Sequence, residues 1–423
     1  VEKKLDMNED ITIKKVVQDG LCTGCGTCVG LCPQDAIEMV IDRKKGIYVP
    51  VIDENKCNDC GICGKVCPGR VVDFPTLNEQ VFGKQPEDIL LGNYLNCYTG
   101  YSVDNDIRYN SSSGGMVTAL LIFALDEGII DGALVSKMSK DNPLEPQPFI
   151  ARTKEEIIEA ARSKYCPVPA NIAIKEILRK EGKYAVVGLP CHMHGIRKAE
   201  AINNKLKERI VLHLGIFCSN SNNFSMTDYV LWRYKIKKDN VSRIDYRGDG
   251  WPGHMTICIN KYDNKIINYK DYILFHEFGM FTPKRCTLCY DTTGEFTDIS
   301  FGDAWGVSES NQDNIGLSIM IARNILGEEF LKKGALNNYI YTVQTLPKFA
   351  YAGNKRANLK ARMHLNRLVL NKLPVYLQKL PKPRLTAYPY YFLLYFNMYV
   401  SSKHHLRWLI YPLAKFEKIF IRR

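Results

Sequence analysis

Between residues 96 and 345 the chain alternates short apolar runs with amphipathic stretches. Residues 132–136, 184–188 and 211–217 are of strand length, and residues 116–126 form an apolar run of helical length. That alternation predicts an α/β domain with a mainly parallel sheet. Residues 21–75 lack such runs and show only strand-length pieces at 36–40 and 71–74, preceded by a strand candidate at 11–17. Pro86 and Gly92 mark residues 77–95 as a linker. The expected division is 1–76, a small α+β domain; 77–95, the linker; 96–350, the α/β domain; and 351–423, a helical basic tail. In the tail, residues 387–400 are apolar and rich in Tyr and Phe, but shorter than the roughly 20 residues a bilayer span needs. They predict a helical hairpin packed on the body, or an aromatic, basic surface for a membrane interface or a partner.

Length and composition narrow this reading. At 423 residues the chain should hold two or three domains. Its 46% hydrophobic and 24% charged residues are those of a folded globular protein. The net charge is +12, yet residues 371–423 carry ten Lys/Arg against one acid, Glu417. The remainder is nearly balanced, which argues against nucleic-acid binding by the body. The 15 cysteines are the unusual feature. The opening residues are polar, without an apolar leader segment, so a reducing, cytoplasmic setting and metal ligation are expected rather than disulfides.

Cys22, Cys25, Cys28 and Cys32-Pro33 recur 35 residues later as Cys57, Cys60, Cys63 and Cys67-Pro68. A [4Fe-4S] cube takes three thiolates from a C-x2-C-x2-C loop and a fourth from further away. In two-cluster ferredoxins the cysteine before proline serves the other cube. Cys22, Cys25, Cys28 and Cys67 are therefore assigned to one cluster, and Cys57, Cys60, Cys63 and Cys32 to a second, so the small α+β domain is expected to be ferredoxin-like. Zinc sites and disulfide knots rarely repeat four cysteines at this spacing.

Three segments of the larger domain carry candidate chemistry. Asn110-Ser-Ser-Ser-Gly-Gly115 precedes an apolar helix, the arrangement of an anion cradle and equally of a plain serine N-cap. Cys191 and Cys218 fall at the carboxyl ends of predicted parallel strands, where open α/β sheets bind ligands. Cys286-Thr-Leu-Cys289 completes a four-thiol set for a third [4Fe-4S] cluster, although free cysteines also fill cores.

Residues 96–345 resemble the coenzyme F420 hydrogenase/dehydrogenase beta-subunit family. The resemblance rests on Ser111-Ser-Ser-Gly-Gly115, Ser163-Lys-Tyr165, Gly188-Leu-Pro-Cys191, Gly215-Ile-Phe-Cys218, Cys286-Thr-Leu-Cys289, Phe301-Gly-Asp-Ala-Trp-Gly306 and Asp313-Asn-Ile-Gly-Leu-Ser318. It implies an α/β flavin-binding domain with FAD held by Ser112, Ser113, Gly114, Gly115, Lys164, Gly188, Gly302 and Asp303. It also implies a [4Fe-4S] cluster on Cys191, Cys218, Cys286 and Cys289. The family often has Gln after Pro-Cys; here His192 and His194 are expected to be helix-face residues beside the site. Cys97, Cys166 and Cys258 are expected in the core. No catalytic side chain is assigned.

The implied function is an oxidoreductase moving electrons between a hydride carrier, coenzyme F420, at flavin and a one-electron partner protein. Two alternatives keep the cofactors. One is a ferredoxin-dependent reductase of another organic substrate, with polysaccharide biosynthesis as one setting. The other is an electron-transfer subunit without a substrate of its own.

Overall fold

The computed structural model describes residues 12–260, 263–307, 314–352 and 387–420. In the N-terminal domain each cysteine loop closes in a single helical turn, Thr27–Gly30 and Ile62–Lys65. Both turns start from a left-handed glycine, Gly26 at φ +83° and Gly61 at φ +70°, a conformation that costs any other residue roughly 1–2 kcal/mol. Strands β1 (Ile37–Asp42) and β2 (Ile47–Ile52) pair antiparallel, with Val40 opposite Val49.

Two expected strands are absent. The segment at 11–17 is instead a helix, Ile13–Gln18, begun by Thr12, whose side chain accepts from the Lys15 amide. Ile13 and Val16 are buried at helical spacing, and Ile11 lies outside the described residues. Residues 71–74 run into a helix, Phe74–Phe82, because Asp73 caps it and Pro75 fits its first turn. That helix extends into the expected linker. It buries Phe74 and Leu77 beside Tyr290 and Phe296 of the larger domain. The Phe74 ring centroid lies 4.9 Å from that of Tyr290 and 4.8 Å from that of Phe296, so the two domains share a core.

The larger domain is built on β3 (Asn96–Ser102), β4 (Gly132–Met138), β5 (Pro146–Ala151), β6 (Tyr184–Gly188), β7 (Ile210–Ile216), β11 (Ile299–Asp303), β12 (Ser318–Ala322) and β13 (Ile340–Thr345). They form one sheet in the order β13-β3-β12-β11-β7-β6-β4-β5. Only the central β4-β6-β7-β11 block is parallel; β5 on one side and β12, β3 and β13 on the other pair antiparallel. The sheet is therefore mixed rather than mainly parallel. The Met116–Asp126 helix packs on it and buries nearly its whole surface. An antiparallel meander of β8 (Val241–Gly248), β9 (His254–Ile259) and β10 (Asp263–Asn268) was not anticipated.

The C-terminal helices Ala387–Ser402 and Arg407–Phe420 pack against the meander side of the body. Asn397 Nδ2 donates to the Phe278 carbonyl at 3.2 Å, Ser401 donates to the Met280 carbonyl, and Val400, Ile410 and Ala414 are buried. The hairpin is thus packed on the body, while residues 353–386 of the expected tail lie outside the described residues. Among the described residues no helix is long and apolar enough to cross a membrane.

Candidate redox centre

Parallel pairing of β6 with β7 and of β7 with β11 brings their carboxyl ends to one edge of the sheet. Cys191 stands on the first turn of the Pro190–Glu200 helix that follows β6, and Cys218 lies two residues beyond β7. Cys286 and Cys289 come from the turn Lys284–Leu288 and its end. The four thiols lie within electrostatic range of one another. Burial, then Cys25, Cys218, Cys289 and Cys286, push the Cys191 thiol well above its ordinary value. Burial, then Cys286 and Cys289, do the same to Cys218. Thiols buried together resist ionisation unless a cation joins them, and a bound metal inverts that preference.

The ferredoxin thiols separate into two groups. Around Cys28 stand Cys25, Cys67 and Cys22, with Cys63 further off; around Cys63 stand Cys60, Cys57 and Cys32. Cys22 is driven up to about 12, chiefly by burial, whereas Cys60 is exposed. Backbone amides approach the sulfurs: Gly24 N to Cys22 Sγ at 3.4 Å, and Ala36 N to Cys32 Sγ at 3.3 Å. Among the described residues no three His, Cys, Asp or Glu side chains close on one point as ligands of a single ion do. A cube spreads its thiolates over four irons, so this spacing bears on zinc and not on a cluster.

The inner group is fixed directly beside Cys191. Asn171 N donates to the Cys25 carbonyl at 2.9 Å, and Asn171 Nδ2 reaches Thr27 Oγ1 at 2.8 Å and the His192 carbonyl at 2.9 Å. A Cβ on Gly195 would stand 2.1 Å from Thr27 Oγ1, so only glycine lets the cysteine loop rest on this helix. Lys198 Nζ donates to the Cys67 and Val71 carbonyls at 2.8 Å each.

A cavity of about 1060 Å³ runs along the same sheet edge. Ser112, Ser113, Gly115, Lys164, Gly188, Gly302 and Asp303 line it, as do Cys218 and Cys286. Gly114 does not; its amide donates to Ser318 Oγ at 2.9 Å, and a Cβ there would stand 2.6 Å from the Gly100 carbonyl. At one end, the Met116–Asp126 helix begins on Gly115, at φ +74°, with no side chain capping its first amides. The serine hydroxyls bond to loops: Ser112 donates to the Arg247 carbonyl at 3.3 Å and Ser113 to the Leu317 carbonyl at 3.0 Å. Lys164 is engaged by the carbonyls of Ala160, Ala161 and Arg162, and burial lowers its pKa to about 8. Asp303 forms a bidentate pair with Arg247, at 2.7 and 2.9 Å, and accepts from Trp251 Nε1 at 3.0 Å.

Family models complete the picture. Two models describe the beta subunit of coenzyme F420 hydrogenase/dehydrogenase: the one for its N-terminal part matches residues 97–175, and the one for its C-terminal part matches 181–348. A 4Fe-4S dicluster domain matches residues 21–71. The coenzyme F420 hydrogenase beta subunit of Methanococcus voltae is 30% identical over 250 residues, 57% of this chain and 81% of that protein. The chain belongs to the coenzyme F420 hydrogenase/dehydrogenase beta-subunit family. A coenzyme F420-dependent sulfite reductase of Methanocaldococcus jannaschii is 26% identical over 336 residues, 75% of this chain and 46% of that protein. A chain of the F420-reducing [NiFe] hydrogenase complex from Methanosarcina barkeri shares the fold, with a TM-score of 0.53 and 24% identity over 67% of this chain and 93% of that one.

Within this family member, the two histidines after Cys191 are held by the fold, and His192 also lines the cavity. His192 accepts from the Leu189 amide at Nδ1 (3.1 Å) and bonds the Val168 carbonyl through Nε2 (3.0 Å); burial lowers it to about 4. His194 meets Asp291 at 2.8 Å in the core. Cys97 and Cys166 are buried as expected, and Cys258 is half-buried on β9. Sequence reading missed Arg247, Tyr269 and His276, all of which line the cavity. The glycine-rich turn after Arg247 was the signal available for it. Tyr269 and Trp305 stack with centroids 6.1 Å apart, and Arg247 lies over the Tyr269 ring at 4.9 Å.

Proposed function

We propose that this chain is an iron–sulfur flavoprotein oxidoreductase. It moves electrons between a hydride carrier of the coenzyme F420 type and a one-electron partner protein. In this reading FAD occupies the cavity, and three [4Fe-4S] clusters take Cys191/Cys218/Cys286/Cys289, Cys22/Cys25/Cys28/Cys67 and Cys57/Cys60/Cys63/Cys32. Bound flavin exchanges two electrons with a hydride carrier and single electrons with clusters. The carrying observation is continuity: one cavity touches both an uncapped helix N-terminus and two thiols of the third set, and Cys191 of that set lies within electrostatic range of Cys25.

The chain's own residues supply binding and insulation. The first amides of the Met116–Asp126 helix receive a phosphate, and Gly115 lets the backbone turn into that helix. Gly302 leaves room for Phe217, because a Cβ there would stand 2.1 Å from its ring. Tyr269 and Trp305 present an aromatic wall that limits water. Thiolate ligation of iron needs reduced cysteines, which a reducing compartment such as the cytoplasm maintains. Anaerobic purification with iron, sulfide and flavin analysis, followed by mixing with reduced F420, tests the reading. Flavin absorbance should bleach before cluster absorbance. Fully loaded protein that ignores reduced F420 but accepts electrons from reduced ferredoxin would transfer the reading to another organic substrate.

A second reading concerns the C-terminal hairpin as a membrane-facing surface. Phe392, Phe396 and Tyr399 are exposed on one helical face, with Trp408 and Phe416 on the second helix. Lys403, Arg407, Lys415 and Lys418 accompany them, and Glu417, the one acid in residues 371–423, is buried. Salt-sensitive binding to anionic vesicles, lost when the five aromatics are changed to serine, is expected; equal binding to neutral vesicles would remove the electrostatic argument.

A further inference from the structure

A groove of about 310 Å³ opens beside Cys32, between the outer thiol group and the larger domain. Gly30, Leu31, Cys32, Pro33 and Ile62 form one side, and Leu178 and Ile202 the other, with Ile202 50% exposed. Its rim is basic. The helices Ile174–Arg179 and Asn204–Arg209, with Lys180, carry Lys175, Arg179, Lys180, Lys205, Lys207 and Arg209 against only Glu176 and Glu208. Glu176 is paired with Arg152 and Lys180, at 2.8 and 3.0 Å, and Asp35 within the groove with both Lys175 and Arg179, which leaves Lys205 and Lys207 as the exposed cations of these helices without an acidic partner among the described residues. Arg209 Nη1 donates to the Ile177 carbonyl at 2.8 Å and the Leu178 carbonyl at 3.2 Å, which fixes the two helices side by side. The loop on the other side of the outer thiols carries Asp53, Glu54 and Asp59, with Asp53 paired to Lys56 and Glu54 to Lys14.

We propose that this basic groove docks the one-electron partner, and that the partner is a small redox protein with an acidic surface around its own centre. The proposal rests on the relay reading above, in which Cys32 is a ligand of the outer cluster. Transient redox complexes bury little surface and depend on charge to steer and orient the encounter. An apolar floor against a cluster ligand, with the unpaired Lys205 and Lys207 on the helix that follows Ile202 and Asn203 of the groove, suits that task. One electron passes between the carrier's centre and the outer cluster; one is oxidised as the other is reduced, and no bond or proton moves.

The test uses the fully loaded protein and stopped-flow electron exchange with a strongly acidic ferredoxin. Lys205→Glu with Lys207→Glu should lower the second-order rate about tenfold and flatten its salt dependence, since steering changes on-rates by roughly 10–1000-fold. The neutral pair Lys205→Gln with Lys207→Gln should fall between, and Asp53→Asn with Asp59→Asn should leave the rate within about twofold of wild type. A zwitterionic viologen, which needs no docking, should react alike with every variant, and iron content should be unchanged. If both lysine pairs leave the ferredoxin rate and salt slope at wild-type values while the viologen reacts normally, the groove is not the docking site. If the viologen cannot exchange electrons with the wild-type clusters, the relay reading fails and the docking proposal falls with it.

Discussion

The two cysteine loops of the N-terminal domain are near copies in sequence and opposites in environment. A Cβ on Gly26 would stand 2.7 Å from Ile172 Cγ2 and 2.9 Å from the Pro169 carbonyl; a Cβ on Gly61 would meet nothing within 4 Å. Both glycines are left-handed, so the backbone requirement is shared and the packing requirement belongs to the first loop alone. The repeat encodes the ligand geometry, and the rest of the chain decides which copy is enclosed. In the proposed relay this asymmetry gives a direction in space: the enclosed loop faces Cys191, and the open loop faces solvent and the basic groove.

The largest expected effect breaks that asymmetry at the glycines. Gly26→Ala adds a steric clash to the left-handed strain and should cost about 3 kcal/mol or more. Gly61→Ala carries the backbone strain alone, about 1 kcal/mol. Chemical denaturation of the two anaerobic variants, with iron content measured beside it, checks the difference. Equal losses would mean that the first loop is not clamped against residues 169–172.

The next effect is on metal. Wild-type protein should hold about twelve irons, and Cys289→Ser should lose about four of them while the paired ferredoxin signals persist in electron paramagnetic resonance. Cys60→Ser, on the open loop, should perturb the outer cluster and leave flavin reduction by reduced F420 at its wild-type rate. A wild-type content of about eight irons would remove the third cluster and with it the link between the cavity and the enclosed loop.

Legibility followed the same division between local and long-range determinants. The eight ferredoxin cysteines were readable because their spacing is itself the constraint. The placement of Cys191 and Cys218 at the sheet edge was readable because each follows an apolar strand, and adjacent parallel strands end at one edge. The 11–17 segment was misread because Ile-Thr-Ile-Lys-Lys-Val-Val satisfies both a two-residue and a helical period over so short a span. Strand β10 escaped notice because five of its six residues are exposed. Asp303, expected as a flavin-pocket residue, lines the cavity, but its partner Arg247 lies 56 positions away and no local pattern joins them.

A further comparison sets a buried carboxylate against an exposed one. Burial alone would raise the Asp298 carboxyl, but its hydrogen bond to His213, the charges of His213 and Arg197, and a bond from Asn324 overcome this and lower it to about 2. Burial and Arg197 press His213 down, yet Glu200 and Asp298 outweigh them and raise it. An acid with a depressed folded pKa contributes stability above its unfolded value, near 3.9, and loses it as pH falls through about 2. Asp298→Asn should therefore cost about 2 kcal/mol at neutral pH, and wild type and variant should converge between about pH 4 and 2. His213 works in the other sense: its contribution is full below the unfolded value near 6.5 and declines as pH rises through its higher folded value. Removing Asp298 should bring that decline to lower pH. Asp35 is also lowered, first by its hydrogen bond to Lys175, but it lies in solvent where such pairs are screened. Asp35→Asn should leave the denaturation midpoint unchanged across the same range. A pH-independent gap between wild type and Asp298→Asn would show that the side chain acts through packing and not through its charge.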